Sequence, residues 1–332
     1  MKNSTRATIR DVAAAAGVTP TTVSDALSGK GRLSAETRVR VREVASQLGY
    51  RPNALARGLR GKGLGLLGLV ISPAPSATLS TVWFWSTIAN KATETALASG
   101  FAMVLLPHNA EVLSRMPIPL DGAIVVDPIA NDPALKVLRD SGIFVVTVGR
   151  DTENEIEPWV DDDNVRGTRQ LLGRTVRSGS RLALLTIDPP KSYSHDARIG
   201  AQQWADDTKS VFLSQLCSGL EPEAIDQALD AVMSQKVNAI LVQNDKLAMV
   251  TLARLQARGI SVPNDVLLLS ATDSPDLAHT KPAITAIHQH PERLGQLAAS
   301  ALIDSINGSQ PPGRQLVALD VVIRRSAPAL RS

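Results

Sequence analysis

The fold is decided by residues 8–27, whose sequence is TIRDVAAAAGVTPTTVSDAL. Thr8 is a suitable N-cap, and Gly17 a suitable stop, for a helix that lies between them. The apolar residues of this helix recur at i, i+3, i+4 and i+7, which is the spacing of a stripe buried on one side. They are Ile9, Val12, Ala13 and Ala16. The first half of the stretch therefore predicts a short amphipathic helix.

A second helix follows after a link of only three residues, 17–19. Thr19 can cap it, and Pro20 falls at its first position, where the missing N–H of proline costs nothing. Its apolar positions repeat the helical spacing at Val23, Ala26 and Leu27. Two short helices joined by a tight turn that contains glycine form a helix-turn-helix unit, whose second helix enters the major groove of DNA.

A third helix is predicted from Ser34, a capping residue, to Gly49, a stop signal. Its apolar residues are Val41, Val44, Ala45 and Leu48. Together the three helices predict a small helical core.

The outward face of the second helix is small and polar, with Pro20, Thr21, Thr22, Ser24 and Asp25. Hydroxyl groups reach bases or phosphates, and a carboxylate accepts a hydrogen bond from the amino group of cytosine. By itself this face could equally be an ordinary solvated helix surface.

Charge is divided unevenly along the chain. Residues 1–62 contain 12 Lys and Arg against 4 Asp and Glu, whereas the remainder contains 23 against 28. A basic head on a mildly acidic body suggests that the head meets a polyanion, because neutralising phosphates releases counterions. A solvated basic face is the alternative.

Length and composition limit the classes of protein. At 332 residues, with 44% hydrophobic and 20% charged residues, the chain is typical of a globular protein of two or three units. It has no apolar run of about 18 residues and no apolar segment behind its first positive charges, so we expect neither a membrane partner nor export, and a cytoplasmic location. The single cysteine, Cys217, excludes an internal disulfide.

After Lys62 the pattern changes to short apolar runs that alternate with amphipathic helices. Helices are predicted at 88–99, 133–141 and 246–259. Buried parallel strands are predicted at 64–71, 101–106, 123–126, 144–148, 182–187, 239–242, 266–269 and 284–287. Alternation of this kind predicts an α/β core of two doubly wound subdomains, with a ligand cleft at the strand carboxyl ends.

The head closely resembles that of the lactose and galactose repressor family. The resemblance covers about sixty residues in register: Thr8-Ile9-Arg10-Asp11-Val12-Ala13, Ala16-Gly17-Val18-Thr19, Thr22-Val23-Ser24, Ser34-Ala35-Glu36-Thr37-Arg38, Leu48-Gly49-Tyr50-Arg51-Pro52-Asn53 and Ala56-Arg57-Gly58-Leu59. It implies that Thr19, Pro20, Thr21, Thr22, Ser24 and Asp25 read the major groove. It also implies backbone contacts from Thr8, Arg32, Ser34, Tyr50 and Asn53.

Two features of the head bear on what it binds. Asp25 stands where many relatives have arginine, and a carboxylate cannot bind guanine O6 and N7, so the half-site should differ at that base pair. Residues 52–62 look like the family's hinge helix, in which Ala56 permits close approach and Leu59 wedges between central base steps. A plain interdomain linker is the alternative.

The body resembles the same family's periplasmic-binding-protein-like core (type I). The resemblance rests on residues 259–266, on Lys281-Pro282-Ala283-Ile284-Thr285 and on Asn244-Asp245. It implies an effector site that includes Asp245, Arg198, Gln289 and the aromatic pair Phe84 and Trp85. A carboxylate and a guanidinium in a cleft can bracket vicinal hydroxyl groups, although a salt bridge between the subdomains is the alternative for Asp245 and Arg198.

The resemblance also sets the expected organisation. We expect a helix-turn-helix domain at 1–51, a hinge at 52–62 and a core at 63–332, with an N-subdomain of about 63–160 and 286–314 and a C-subdomain of about 161–285 and 315–332. The expected protein is a homodimeric, ligand-responsive repressor of transcription that binds an operator of double-stranded DNA, with a sugar, polyol or nucleoside-like effector, no cofactor and no catalytic activity. A small-molecule binding protein or hydrolase with a basic anchoring head, or an effector-independent repressor, remains an alternative.

Three motifs suggest other activities by their residue types alone, without regard to structural context. Gly63-x-Gly65-x-x-Gly68 matches a dinucleotide fingerprint, but it leads into a predicted strand instead of opening a helix. Ser194-His195-Asp196 has the residue types of a hydrolytic triad, yet sequence neighbours do not form one without a fold to orient them. His288-x-His290 lacks an evident third metal ligand.

Overall fold

The computed structural model describes residues 7–28, 33–50, 63–72, 79–116, 119–187 and 191–330. It divides into two compact units, Met1–Gly65 and Leu66–Ser332. The predicted hinge, with Asn53 beside it and Ala56 and Leu59 within it, lies outside the described residues, as does Arg32.

The first unit contains three helices, α1 (Ile9–Ala16), α2 (Pro20–Ser28) and α3 (Ala35–Gln47). Thr8 and Asp11 form a reciprocal capping box at the start of α1, and Gly17 ends that helix in the left-handed conformation at φ 66°. The buried side chains that pack between the helices are Val12, Ala13, Ala16, Val23, Ala26, Val41 and Ala45. They belong to the predicted apolar stripes, and Ile9, Leu27 and Val44 pack against them, whereas Leu48, also predicted for this core, is exposed. The helix-turn-helix prediction is confirmed.

The first sheet of the larger unit is parallel throughout, in the order β11-β5-β4-β3-β1-β2. Its strands are β1 (Leu66–Ile71), β2 (Ala102–Leu106), β3 (Gly122–Val126), β4 (Phe144–Val148), β5 (Trp159–Asp162) and β11 (Arg314–Val317). Its helices are α4 (Leu79–Ala98), α5 (Ala110–Ser114), α6 (Pro133–Asp140) and α12 (Pro291–Ile306).

The second sheet has the order β12-β10-β9-β8-β6-β7, parallel except for the antiparallel edge strand β12. Its strands are β6 (Arg181–Ile187), β7 (Val211–Cys217), β8 (Ala239–Val242), β9 (Leu267–Ser270), β10 (Thr285–His288) and β12 (Asp320–Val322). The remaining helices are α7 (Asn164–Thr175), α8 (Ser192–Thr208), α9 (Pro222–Met233), α10 (Asp245–Ala257) and α11 (Pro275–His279). The predicted class of two doubly wound subdomains is confirmed.

The chain changes from one sheet to the other after β5, after β10 and after β11, and so crosses three times. These changes fall after Asp162, His288 and Val317, a few residues beyond the predicted subdomain bounds at 160, 285 and 314. The sequence analysis did not predict β5, β7, β11 or β12. Each carries polar side chains or lies at a sheet edge, so none reads as a continuous apolar run.

Helices α4 and α12 pack on the same face of the first sheet at unusually close range. A Cβ atom added at Gly295 of α12 would lie 2.4 Å from the carbonyl oxygen of Ile88 in α4. This oxygen belongs to the backbone of a packed helix and cannot move aside cheaply. Glycine is therefore required at this contact by packing and not by backbone conformation.

We expect Gly295→Ala to lower the free energy of unfolding by about 1–3 kcal/mol, because the new methyl group forces the two helices apart. Gly173→Ala is the matched control. Gly173 also lies within a helix, but a Cβ there meets nothing within 4 Å, so helix propensity should stabilise the protein by up to about 1 kcal/mol. Chemical denaturation of both variants measures the difference, and equal stabilisation by both would contradict the close packing.

Candidate functional site

The second helix of the head presents small polar groups on its surface. Pro20 and Thr21 are exposed, while Val23 and Ala26 on the opposite side are fully buried. The amide of Thr22 donates to the hydroxyl of Thr19 at 3.1 Å, which caps the helix and aligns its first turn. The predicted face is therefore available at the helix start, where recognition helices contact bases.

The other predicted DNA-contacting residues surround this helix. Thr8, Thr19 and Ser34 are exposed, whereas Thr22, Ser24, Asp25 and Tyr50 are half-buried. Thr8 and Ser34 both cap helices, so their hydroxyls already accept backbone N–H groups. Both exposed caps place helix N-termini at the surface, where backbone N–H groups favour anions such as phosphate.

In the larger unit, charged side chains gather where strands of the two sheets end. Asp127 follows β3 and Arg150 follows β4, while Asp161 and Asp162 close β5. From the other sheet come the start of α8 after β6, residues 243–245 after β8 and Gln289 after β10. The carboxyl ends of parallel strands are the usual ligand position in such sheets, so this cleft is the candidate effector site.

Arg150 joins the two halves across this cleft. Its Nε donates to Asp161 Oδ2 at 2.9 Å, and its Nη2 donates to Asp196 of α8, in the other half. Its backbone amide also donates to Ser192 Oγ at 3.2 Å. The guanidinium lies 5.1 Å from the centroid of the Trp159 ring. Both carboxylates are buried, so one cation compensates two charges that water does not reach.

Lys191, at the start of α8, makes the second contact across the cleft. Its side chain is buried, and its Nζ donates to the carbonyl oxygen of Asp127 at 3.1 Å. The same ammonium lies 3.8 Å from Asp127 Oδ2 and 5.6 Å from the centroid of the Trp85 ring. The indole Nε1 of Trp85 donates to Asp127 Oδ2 at 2.8 Å. An aromatic face and a carboxylate thus receive one buried ammonium.

The structure brings together most of the predicted effector residues, but not the predicted charge pair. Trp85 and Asp245 are buried, Phe84 is half-buried, and Gln289 donates to Asp162 Oδ2 at 3.1 Å. Arg198, in contrast, is exposed on α8. The guanidinium that lies among the cleft carboxylates is Arg150.

Sequence analysis missed Arg150, Lys191, Asp127, Asp161 and Asp162. Arg150 and Asp127 come directly after strands that were predicted, so their position at a strand end was the available signal. Asp161 and Asp162 belong to β5, which was not predicted. Trp83, which stands two residues before Trp85, is exposed.

Burial perturbs the acids of the cleft. It raises the pKa of Asp161 to about 6, although Arg150 opposes the shift. Burial, together with the charge of Asp161, raises the pKa of Asp162 well above its ordinary value. Burial also raises the pKa of Tyr193 to about 12, with a further contribution from the charge of Asp127. Burial therefore disfavours the ionised form of these acids, and a cation placed beside them favours it.

The three motifs that suggested other activities have structural explanations. Ser194 Oγ donates to the carbonyl oxygen of Lys191 at 2.9 Å and not to His195, so the serine has no base beside it. Gly68 lies within β1, so the glycine pattern does not open a helix. His290 Nε2 pairs with Asp320 at 3.1 Å, and no group of three metal-ligating side chains occurs among the described residues.

We expect Arg150→Met to lower the free energy of unfolding by about 3 kcal/mol, because it leaves Asp161 and Asp196 buried without a cation. Arg115→Met is the control, since Arg115 pairs with Glu111 at 3.0 Å in full exposure to solvent and should contribute less than about 1 kcal/mol. Denaturation at neutral pH compares them. Equal losses would show that the buried network does not hold the two halves.

The raised pKa of Asp161 makes stability depend on pH in a defined direction. Between its ordinary value of 3.8 and about 6, the folded protein holds a proton that the unfolded chain has released. The free energy of unfolding should therefore fall as pH rises through this interval. Asp161→Asn should flatten that part of the profile in denaturation experiments at a series of pH values. Parallel profiles of parent and variant would contradict the shift.

No helix in the described parts of the chain has the length and apolarity that crossing a membrane requires.

Two family models match the chain. Residues 8–53 match bacterial regulatory proteins of the lacI family, and residues 176–327 match the periplasmic binding protein-like domain. The chain is 28% identical over 222 residues to the transcriptional regulator CelR of Thermobifida fusca, an alignment that covers 62% of this chain and 63% of that protein. It is 25% identical over 339 residues to the transcriptional repressor PurR of Erwinia tasmaniensis, which covers 97% of both.

Solved structures show the same fold. A CelR–cellobiose complex superposes with a TM-score of 0.67 at 24% identity, covering 97% of this chain and 100% of that one. The lac repressor dimer bound to operator and the anti-inducer ONPF gives a TM-score of 0.67 at 23% identity, covering 98% and 100%. These relatives are regulators of transcription and not enzymes. The chain thus combines a helix-turn-helix head that matches the lacI family of bacterial regulatory proteins with a periplasmic binding protein-like domain, and its relatives are regulators of transcription.

Proposed function

We propose that this chain is a ligand-responsive transcriptional regulator that binds a pseudo-palindromic operator as a homodimer and acts as a repressor in the cytoplasm. The observation that carries the proposal is the head, in which a buried three-helix core presents the polar start of α2 at the surface. A two-fold dimer places two such helices in successive major grooves.

The proposed contacts follow from residue type and position. Thr19, Pro20, Thr21, Thr22, Ser24 and Asp25 contact bases, and Thr8, Arg32, Ser34, Tyr50 and Asn53 contact the DNA backbone. Hydroxyl groups suit both tasks, and the carboxylate of Asp25 suits cytosine better than guanine. In the hinge, Ala56 and Leu59 enter the minor groove, where an apolar wedge can kink the duplex.

The cleft between the two sheets is the proposed effector site. Phe84, Trp85, Asp245 and Gln289 are the proposed contacts, with Arg150 in the role first assigned to Arg198 because its half-buried guanidinium lies among the cleft carboxylates. The CelR relative binds cellobiose, and a lac repressor binds ONPF. A sugar, polyol or nucleoside-like effector is consistent with the polar lining.

An effector acts by changing how the two halves meet. Arg150 and Lys191 both reach across the cleft, so a ligand that alters their partners alters the pose of the halves and hence of the paired heads. Induction and corepression differ only in which pose the effector prefers.

An effector-independent repressor is the second candidate, and the same two contacts favour it. Arg150 and Lys191 each join the two halves through the chain's own groups. A protein held closed by its own side chains needs no effector to keep that pose. Thermal shift with sugars, polyols and nucleosides separates the two, since only a ligand-responsive protein gains stability.

The operator claim is tested by mobility shift with a family-type palindrome and a scrambled duplex at two salt concentrations. We expect the parent to prefer the palindrome, and its affinity for both duplexes to fall as salt rises. Leu59→Ala should weaken binding to the palindrome by about tenfold, since the wedge is lost. Leu330→Ala, which removes an exposed leucine near the carboxyl terminus, is the control and should bind as the parent does. Equal binding of every duplex by the parent would falsify the proposal.

A further inference from the structure

Two buried carboxylates of the cleft have no cationic partner. Arg150 pairs with Asp161 and Asp196, and Lys191 pairs with Asp127. Asp162 and Asp245 remain, at 3% and 6% exposure. Neither has a Lys, Arg or His nitrogen within 4 Å among the residues that the structure describes.

Their oxygens are also short of hydrogen-bond donors. Asp162 Oδ1 and Asp245 Oδ2 are buried and accept no hydrogen bond from the described residues, and the same holds for the hydroxyl of Ser274. Asp162 Oδ2 accepts one, from Gln289. A buried acceptor without a donor costs on the order of 1–3 kcal/mol, and more when it is charged. These atoms therefore favour a ligand that brings donors.

The unpartnered groups face the same cleft from its two sides. Asp162 closes β5 of the first sheet, while Asp245 begins α10 after β8 of the second. Tyr193 connects them: its hydroxyl accepts from Gln243 at 3.1 Å, and the charges of both Asp127 and Asp245 contribute to its raised pKa. The charge of Asp127 likewise raises the pKa of Asp162. The charge of Asp127 thus acts on Asp162 and on Tyr193, and the charge of Asp245 acts on the same tyrosine.

Counting charges gives the sign of the missing group. Arg150 and Lys191 already face four carboxylates, from Glu155, Asp161, Asp196 and Asp127, whereas Asp162 and Asp245 have no cation within 4 Å among the described residues. Burial disfavours the ionised form of Asp162, so a ligand that brings a positive charge would stabilise its carboxylate, which a neutral ligand would not do.

The chain itself shows that this cleft accommodates an ammonium group. Lys191 places its Nζ against the Trp85 ring and the main-chain and side-chain oxygens of Asp127. Aromatic faces and carboxylates are the groups that hold protonated amines in proteins. Lys191 supplies the ammonium at Asp127, whereas Asp162 has no ammonium within 4 Å among the described residues.

We propose that the effector is an amine-bearing polar molecule, such as an amino sugar or amino polyol, whose ammonium pairs with Asp162 and whose hydroxyl groups donate to Asp245. This inference rests on the proposed function, since it assigns a ligand class to the effector site. A hydroxyl group in place of the amine could donate a hydrogen bond to Asp162 but would bring no positive charge to this buried carboxyl group.

Matched probes that differ only in the amine test the inference. The pairs are serinol and glycerol, and glucosamine and glucose, each measured at neutral pH and constant ionic strength. Thermal shift and titration calorimetry on the full chain measure binding without DNA. We expect at least one amine to bind about tenfold more tightly than its hydroxyl partner, the ratio that corresponds to about 1.4 kcal/mol.

Variants assign the preference to the cleft. Asp162→Asn removes the charge and keeps the shape, so it should abolish the amine preference. Asp304→Asn removes one exposed carboxylate from α12 and should leave the preference unchanged. Equal responses to both members of every pair, including no response to either, would overturn the inference, as would an amine preference that survives in Asp162→Asn.

The operator assay separates this inference from the proposed function. A chain that binds its palindrome but does not distinguish amines from hydroxyls remains a regulator with a different ligand class. A chain that distinguishes amines but binds every duplex alike has a cationic-ligand site and is not the proposed regulator.

Discussion

Charge buried between two sheets is the constraint on which the larger unit depends. Carboxylates at the strand ends of both halves lie out of reach of water, and two cations, Arg150 and Lys191, are placed where each contacts the opposite half. Because a buried carboxylate is costly without a partner, these contacts favour one relative pose of the halves. The same groups line the cleft, so whatever enters it competes with the contacts that set the pose.

The head is stabilised in a different way. Its core consists mainly of alanine and valine side chains, and it is too small for burial alone to define its helices. Helix capping therefore contributes a large share of the stability of these helices. The hydroxyl groups of Thr8, Thr19 and Ser34 each accept a hydrogen bond from a backbone N–H that has no partner within its helix. The residues that fix the helix starts are also among those proposed to contact DNA. Stability and recognition consequently use the same surface.

The chain resembles regulators of the lacI family over both units, yet the cleft has its own chemistry. The guanidinium that sequence resemblance assigned to the effector site, Arg198, is exposed, and the half-buried Arg150 from the other half contacts the cleft carboxylates instead. Because Arg150 pairs with Asp161 and Asp196, the carboxyl groups of Asp162 and Asp245 have no cation within 4 Å among the described residues. A shared fold therefore does not carry a shared ligand, because the fold fixes where strands end and not which side chains follow them.

The head could be predicted from sequence almost in full, because its helices are local: caps, apolar spacing and the glycine stop all lie within a few residues of one another. The buried central strands of the core could be predicted equally well, because each is a continuous apolar run. Only the tertiary structure decided which charged side chains meet in the cleft. Arg150 and Asp196 are 46 residues apart, and Lys191 and Asp127 are 64 apart, so no local pattern pairs them. Their meeting is set by three crossings between two sheets, and burial then determines which charges are compensated.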